Sequence, residues 1–257
     1  MKKLTALLLA LAMLLSLTAC EKEYVEVAVG VAVPIAIALL EDTVVEPETP
    51  PEEVPLGAFS LDAIPDFSGE PYISINGNTP FFIEAEWTTT SYEYYSDLDH
   101  LGRCGMTAAC VGTDLMPEED RGEIGSVKPT GWQSVKYDVI EGKYLYNRCH
   151  LIGLQLTGEN ANYNNLITGT RYLNIEGMLP FENMVADYVQ ETGNHVLYRV
   201  TPIFRDEELV ARGVLMEGFS VEDMGEGICF CVFAYNSQPW IAIDYATGES
   251  QLIQQEE

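Results

Sequence analysis

The chain has only three histidines, His100, His150 and His195, so the side chains that exchange a proton near neutral pH are quickly screened. His150 closes the run Lys143-Tyr144-Leu145-Tyr146-Asn147-Arg148-Cys149-His150, which reads as a strand. Side chains alternate between faces along a strand, so Arg148 and His150 fall on one side. An amide-rich stretch follows, Glu159-Asn160-Ala161-Asn162-Tyr163-Asn164-Asn165, and then Asn174, Glu182 and Asn183. An arginine and a histidine followed by neutral oxygen donors and a carboxylate could bind an anion, move a proton and hold a hard cation. Asparagines are also what loops are built from, so the pattern alone leaves a turn-rich connection open. His100 and His195 read as a loop residue and a strand-edge residue.

The elements that must position these groups are strands at both ends of a domain and helices between them. Tyr72-Ile73-Ser74-Ile75 before Asn76-Gly77, and the run from Gly105 to Gly112, read as short strands with turn punctuation. After Pro180, apolar residues at Phe181, Met184, Val185, Tyr188 and Val189 form the stripe of an amphipathic helix. Pro180 suits its first turn and Gly193 its C-terminal cap. Runs from His195 to Phe204, Val210 to Phe219, Ile228 to Tyr235 and Trp240 to Tyr245 read as further strands. The fold class expected is α+β, a mostly antiparallel central sheet with helices concentrated between about residues 155 and 192.

Composition narrows the function. Of 257 residues 47% are hydrophobic, enough for a packed core, and the net charge is −27. A protein that coats nucleic acid through its overall field is thereby excluded; any phosphate binding must be local. Seven basic residues lie between 103 and 171, namely Arg103, Arg121, Lys128, Lys136, Lys143, Arg148 and Arg171, and they bracket the Arg148/His150 pair.

The N-terminus has Lys2-Lys3, an apolar run from Leu4 to Leu17, and Leu17-Thr18-Ala19-Cys20. This is the pattern of an export signal, and its end resembles the lipobox of bacterial lipoproteins, with Cys20 as the lipidated residue. Residues 21–66, with 11 acidic and one basic residue and the run Glu46-Pro47-Glu48-Thr49-Pro50-Pro51-Glu52-Glu53, read as an acidic Pro/Glu-rich stalk. The folded domain is expected from Phe67 to residue 257. Beyond Cys20 there are Cys104, Cys110, Cys149, Cys229 and Cys231. A Cys104–Cys110 bridge is conceivable, but pairing is not readable from sequence. Cys229 and Cys231 read as small buried strand residues rather than zinc ligands.

Asn147-Arg148-Cys149-His150, followed by Leu151-Ile152-Gly153, resembles the Asp-Arg-Gly-His motif of the DNA/RNA non-specific endonucleases, the ββα-metal or His-Me finger nucleases. The stretch from Gly142 to Asp187 is similar to the streptococcal DNA-entry nuclease and streptodornase branch. It includes Thr157-Gly158-Glu159-Asn160-Ala161-Asn162, Asn165-Leu166-Ile167-Thr168-Gly169-Thr170-Arg171 and Gly177-Met178-Leu179-Pro180-Phe181-Glu182-Asn183. Lys128-Pro129-Thr130-Gly131-Trp132 and Asp244-Tyr245-Ala246-Thr247-Gly248 fit as well, and the resemblance covers roughly residues 95 to 250.

By position, the resemblance implies His150 as general base, Arg148 as the motif arginine, Asn165 as an amide near the scissile phosphate and Asn174 as the direct metal ligand. Glu182 would hold the metal's water shell, and Arg121, Lys128 and Arg171 would contact phosphate. The implied cofactor is Mg²⁺, with Mn²⁺ as the alternative. The implied partners are DNA, with RNA as a second substrate, and a membrane reached through the lipid anchor, which places the protein on the outer face of a bacterial cell or in its surroundings. Asn147 stands where the motif has Asp, and Cys149 where it has Gly. A catalytically degenerate surface lipoprotein that binds DNA or a protein partner is the rival reading, and a purely structural stalked protein the third.

Three phosphate contacts on an otherwise acidic surface predict salt-sensitive capture. By counterion release, affinity for duplex DNA is expected to fall about fortyfold between 50 and 200 mM salt, read from KM across a salt series; a flat series would refute this.

Overall fold

The computed structural model describes residues 59–118 and 122–253. The export signal, Cys20, the stalk to residue 58 and Arg121 lie outside the described residues. In chain order the strands are β1 (Tyr72–Ser74), β2 (Tyr92–Tyr95), β3 (Thr107–Val111), β4 (Tyr146–His150), β5 (Leu166–Thr170), β6 (Val196–Ile203), β7 (Gly213–Ser220), β8 (Cys229–Tyr235), β9 (Ile241–Ile243) and β10 (Ser250–Leu252). The helices that matter for the site are α1 (Leu154–Thr157) and α2 (Leu179–Thr192).

Six strands form one antiparallel sheet in the order β1-β8-β7-β6-β3-β2. Its faces follow from alternation along each strand. Val196, Tyr198 and Val200 of β6 share one face with Val214 and Met216 of β7, Phe230, Val232 and Ala234 of β8, and Ala109 and Val111 of β3. Against this face pack Phe181, Val185, Ala186 and Val189 of α2, together with Cys149, Leu151 and Ile152. Each fully buried side chain of this size contributes about 1.5–3 kcal/mol.

The opposite face is covered by the chain before β2. Phe59 stacks on Phe233 and Trp87 on Phe219, with centroids 5.9 and 5.1 Å apart. Between them Arg199, 1% exposed, donates to both oxygens of Glu217 at 2.7 and 2.9 Å and to Glu86 at 2.8 Å, with its guanidinium over Phe82. The backbone N–H of Phe81 donates to Glu217 as well. The ion network thus ties the segment around residues 81–86 to the middle of the sheet.

The fold class agrees with the sequence reading, and so does helix α2. Pro180 lies in its first turn, Gly193 caps it at φ 72°, and Phe181, Val185 and Val189 are buried. Met184, counted in the apolar stripe, is 40% exposed. The π-helical segment Leu173–Met178 directly before α2 was not legible; no apolar periodicity marks it, and such segments occur often at functional sites.

Two readings need correction. Residues 59–66, assigned to the stalk, lie against the domain: beside the Phe59 contact, Asp62 pairs with Arg205 at 2.9 Å and the carbonyl of Pro65 accepts from the Tyr235 hydroxyl. Aromatic burial on the second sheet face outweighs the local polar composition. Cys104 and Cys110 are buried, their thiols donating to the carbonyls of Tyr163 and Leu166 and of Thr88 respectively. Cys231 is buried, whereas Cys229 is exposed at the strand's start.

Replacing Glu217 by Ala would leave the Arg199 charge and the Phe81 amide short of their buried acceptor. A loss of about 3–5 kcal/mol in urea unfolding is expected; a loss below about 1 kcal/mol would show that the network is not what holds the segment.

Candidate active site

The chain from Tyr146 to Thr192 is a hairpin followed by a helix. β4 and β5 pair antiparallel, with Tyr146 opposite Thr170 and His150 opposite Leu166, and form a separate two-stranded sheet. The π segment and α2 follow at once. Alternation along β4 places Cys149 in the core with α2, and Arg148 and His150 on the other side of the strand.

His150 is 7% exposed, and its Nε2 lies 2.7 Å from the carbonyl oxygen of Asn160. A carbonyl only accepts, so this contact puts the imidazole hydrogen on Nε2 and the basic lone pair on Nδ1. The amide-rich stretch therefore does bear on the histidine, through a backbone oxygen that side-chain chemistry could not have flagged.

Asn165 has a different part from the one expected. It is wholly buried, its Oδ1 accepts from the Ile152 N–H at 2.9 Å, and its Nδ2 donates to the Ile152 carbonyl at 3.0 Å. Both halves of the amide are bound to one backbone unit, so Asn165 clamps the turn after β4. Arg148 is likewise engaged: its guanidinium donates to the carbonyls of Val127 and Gly125 and lies over the Trp132 ring at 4.2 Å. It anchors the 125–132 loop to β4, with the Trp132 ring as its platform.

On the other side of β4, the Cys149 thiol donates to Asn174 Oδ1 at 3.1 Å and lies 3.5 Å from Met178 Sδ. The room that a cysteine demands at this place comes from Gly169 on β5, where a Cβ would lie 2.5 Å from that of Cys149. Glu182, 9% exposed, projects from the first turn of α2 against Gly153, whose missing Cβ leaves space that its carboxylate occupies. The π segment thus brings Asn174 to Cys149 of the hairpin, and α2 brings Glu182 to Gly153 just after β4.

The phosphate-binding residues proposed from sequence are not gathered in the same way. Lys128 is exposed and makes no ion pair among the described residues, whereas Arg171 lies 3.8 Å from Glu141. Lys143 pairs with Asp138, and Arg103 with Asp99. Next to Asn160 opens a groove of about 450 Å³ that carries Glu118 and Glu159. Burial, and then the charge of Glu93, push the Glu159 carboxyl above its ordinary range, and among the described residues the lining of this groove holds no lysine or arginine.

The donor set fits a hard divalent cation. Asn174 offers a neutral oxygen and Glu182 a buried carboxylate, and no group of three or more His, Cys, Asp or Glu side chains converges among the described residues. A cation that retains most of its water shell needs no more.

Residues 84–221 match the family model described as DNA/RNA non-specific endonuclease. The fold is similar to that of NucA from Streptococcus agalactiae with magnesium ion bound, at 25% identity and a TM-score of 0.61, over 70% of this chain and 85% of that one. It is also similar to Sda1 nuclease with bound zinc ion, at 23% identity and a TM-score of 0.58 over 72% and 97%, and to an extracellular endonuclease, at 21% and 0.51 over 70% and 96%. No protein of curated function matches the chain. With more than half of its length matched, and with the hairpin-helix unit in the place the motif requires, the chain belongs to the DNA/RNA non-specific endonuclease family.

Proposed function

We propose that the protein is a Mg²⁺-dependent endonuclease of low sequence preference that hydrolyses phosphodiester bonds of DNA, and of RNA as a second substrate, outside the cell, tethered through a lipid on Cys20. The observation that carries the reading is the tautomer of His150: Nε2 is tied to the Asn160 carbonyl, so Nδ1 is the basic atom. Nδ1 would take a proton from water as the water oxygen bonds to phosphorus and the bond from phosphorus to the 3′ oxygen breaks. A positioned base of this kind contributes about 10² to 10⁴ in rate. Asn174 would hold the cation and Glu182 its waters, and the bound cation would supply neutralisation of the charge that develops on the phosphate and the leaving oxygen. Asn165 and Arg148 act indirectly, the first by fixing the turn that follows His150, the second by fixing the loop beside it.

The deciding experiment incubates the protein with supercoiled plasmid in Mg²⁺ and in EDTA, beside His150→Ala. Nicking in Mg²⁺ only, reduced about 10² to 10⁴-fold in the variant with its circular dichroism intact, is the expected outcome. Plasmid that survives with folded protein, retarded on a gel yet uncut, would favour the degenerate binder. Asn165→Ala separates the clamp from the chemistry. It strips the Ile152 backbone of both partners and should lower stability by about 1–3 kcal/mol in urea unfolding.

A further inference from the structure

We propose that Cys149 is a positioning residue of this site, whose thiol pins the Asn174 side-chain amide and leaves one lone pair of its oxygen for the cation. Asn174 lies in the π segment after β5, half-buried, and its backbone is fixed there because its carbonyl accepts from the Leu179 N–H. Its side chain is what remains to be held, since the amide torsion of an asparagine is broad and only some settings present the oxygen to a cation. The Cys149 Sγ lies 3.1 Å from Asn174 Oδ1, 3.5 Å from Met178 Sδ and 3.8 Å from the carbonyl oxygen of His150. A thiol has one hydrogen, and a thioether accepts weakly. The closest acceptor, the amide oxygen, therefore takes that hydrogen on one of its two lone pairs.

The place for this thiol is made by the neighbouring strand. Cys149 is wholly buried, and a Cβ on Gly169 of β5 would lie 2.5 Å from its Cβ and 3.1 Å from its Sγ. The φ of Gly169 is not positive, so its backbone conformation does not call for glycine. Glycine is needed there for space, and the cysteine side chain fills that space. Cys149 stands where the motif has Gly, a residue with no side chain to offer the asparagine. A donor that already holds a metal-binding side chain in place lowers the ordering required when the cation arrives. Cys149 thus acts through Asn174 and not on the substrate.

The inference rests on the nuclease reading, and three variants of the whole protein test it. Cys149→Ala removes the donor, Cys149→Ser keeps one, and Val214→Ala truncates an apolar side chain of the same buried cluster. With MgCl₂ alone, the concentration giving half of the metal-induced rise in melting temperature should increase about 10- to 100-fold in Cys149→Ala. Cys149→Ser should recover most of that shift, and Val214→Ala should lower the melting temperature while leaving the midpoint where it was. In plasmid cleavage the Mg²⁺ activation midpoint of Cys149→Ala should rise by the same factor, while kcat at saturating Mg²⁺ falls by less. An unchanged midpoint in Cys149→Ala, a shift of equal size in Val214→Ala, or a serine variant no better than the alanine one overturns the role of Cys149. If the unaltered protein neither cuts nor is stabilised by Mg²⁺, the nuclease reading itself fails; metal-dependent cutting with an unchanged Cys149→Ala midpoint removes Cys149 alone.

Discussion

Everything at the site depends on the burial of one unit, the β4–β5 hairpin and α2, against one face of the six-stranded sheet. Cys149, Leu151 and Ile152 from the hairpin and Phe181, Val185 and Val189 from the helix share a single apolar cluster with Val196, Tyr198 and Val200. A close-packed interior tolerates little displacement, so the same contacts that stabilise the domain set where His150, Asn174 and Glu182 stand relative to one another. The polar groups at this junction are held by neighbours of small size: Gly169 admits Cys149, and Gly153 admits Glu182.

The sheet can serve as that platform because its other face is closed as well. Arg199 and Glu217 occupy neighbouring strands and are almost wholly buried, so their desolvation is offset only by complete hydrogen bonding. Glu86, Phe82 and the Phe81 amide complete it. The segment from Phe59 to Trp87 is therefore a structural layer of the domain.

Charge separates the roles of the basic residues. Four of the seven clustered in sequence have partners within the domain: Arg103, Lys143 and Arg171 in ion pairs, Arg148 at loop carbonyls and Trp132. On a chain with a net charge of −27 the proposed function leaves phosphate attraction to few sites, Lys128 being exposed and without an ion pair among the described residues. Recognition by a small number of phosphate contacts is in keeping with low sequence preference.

The motif around His150, the amphipathic stripe of α2 with its Pro180 and Gly193 signals, and the alternating strands from Val196 to Tyr235 were legible in the chain, because periodicity and end signals are local properties. So was the family, since the motif residues lie close together in sequence. What each polar residue does was decided only by tertiary structure. Asn165 and Arg148 have the types expected of substrate ligands, yet their partners are the backbone of Ile152 and of Gly125 and Val127, groups that no residue letter encodes. The tautomer of His150 depends on a carbonyl ten residues away. Residue type determined which chemistry was available; long-range backbone placement determined which atoms were left to perform it.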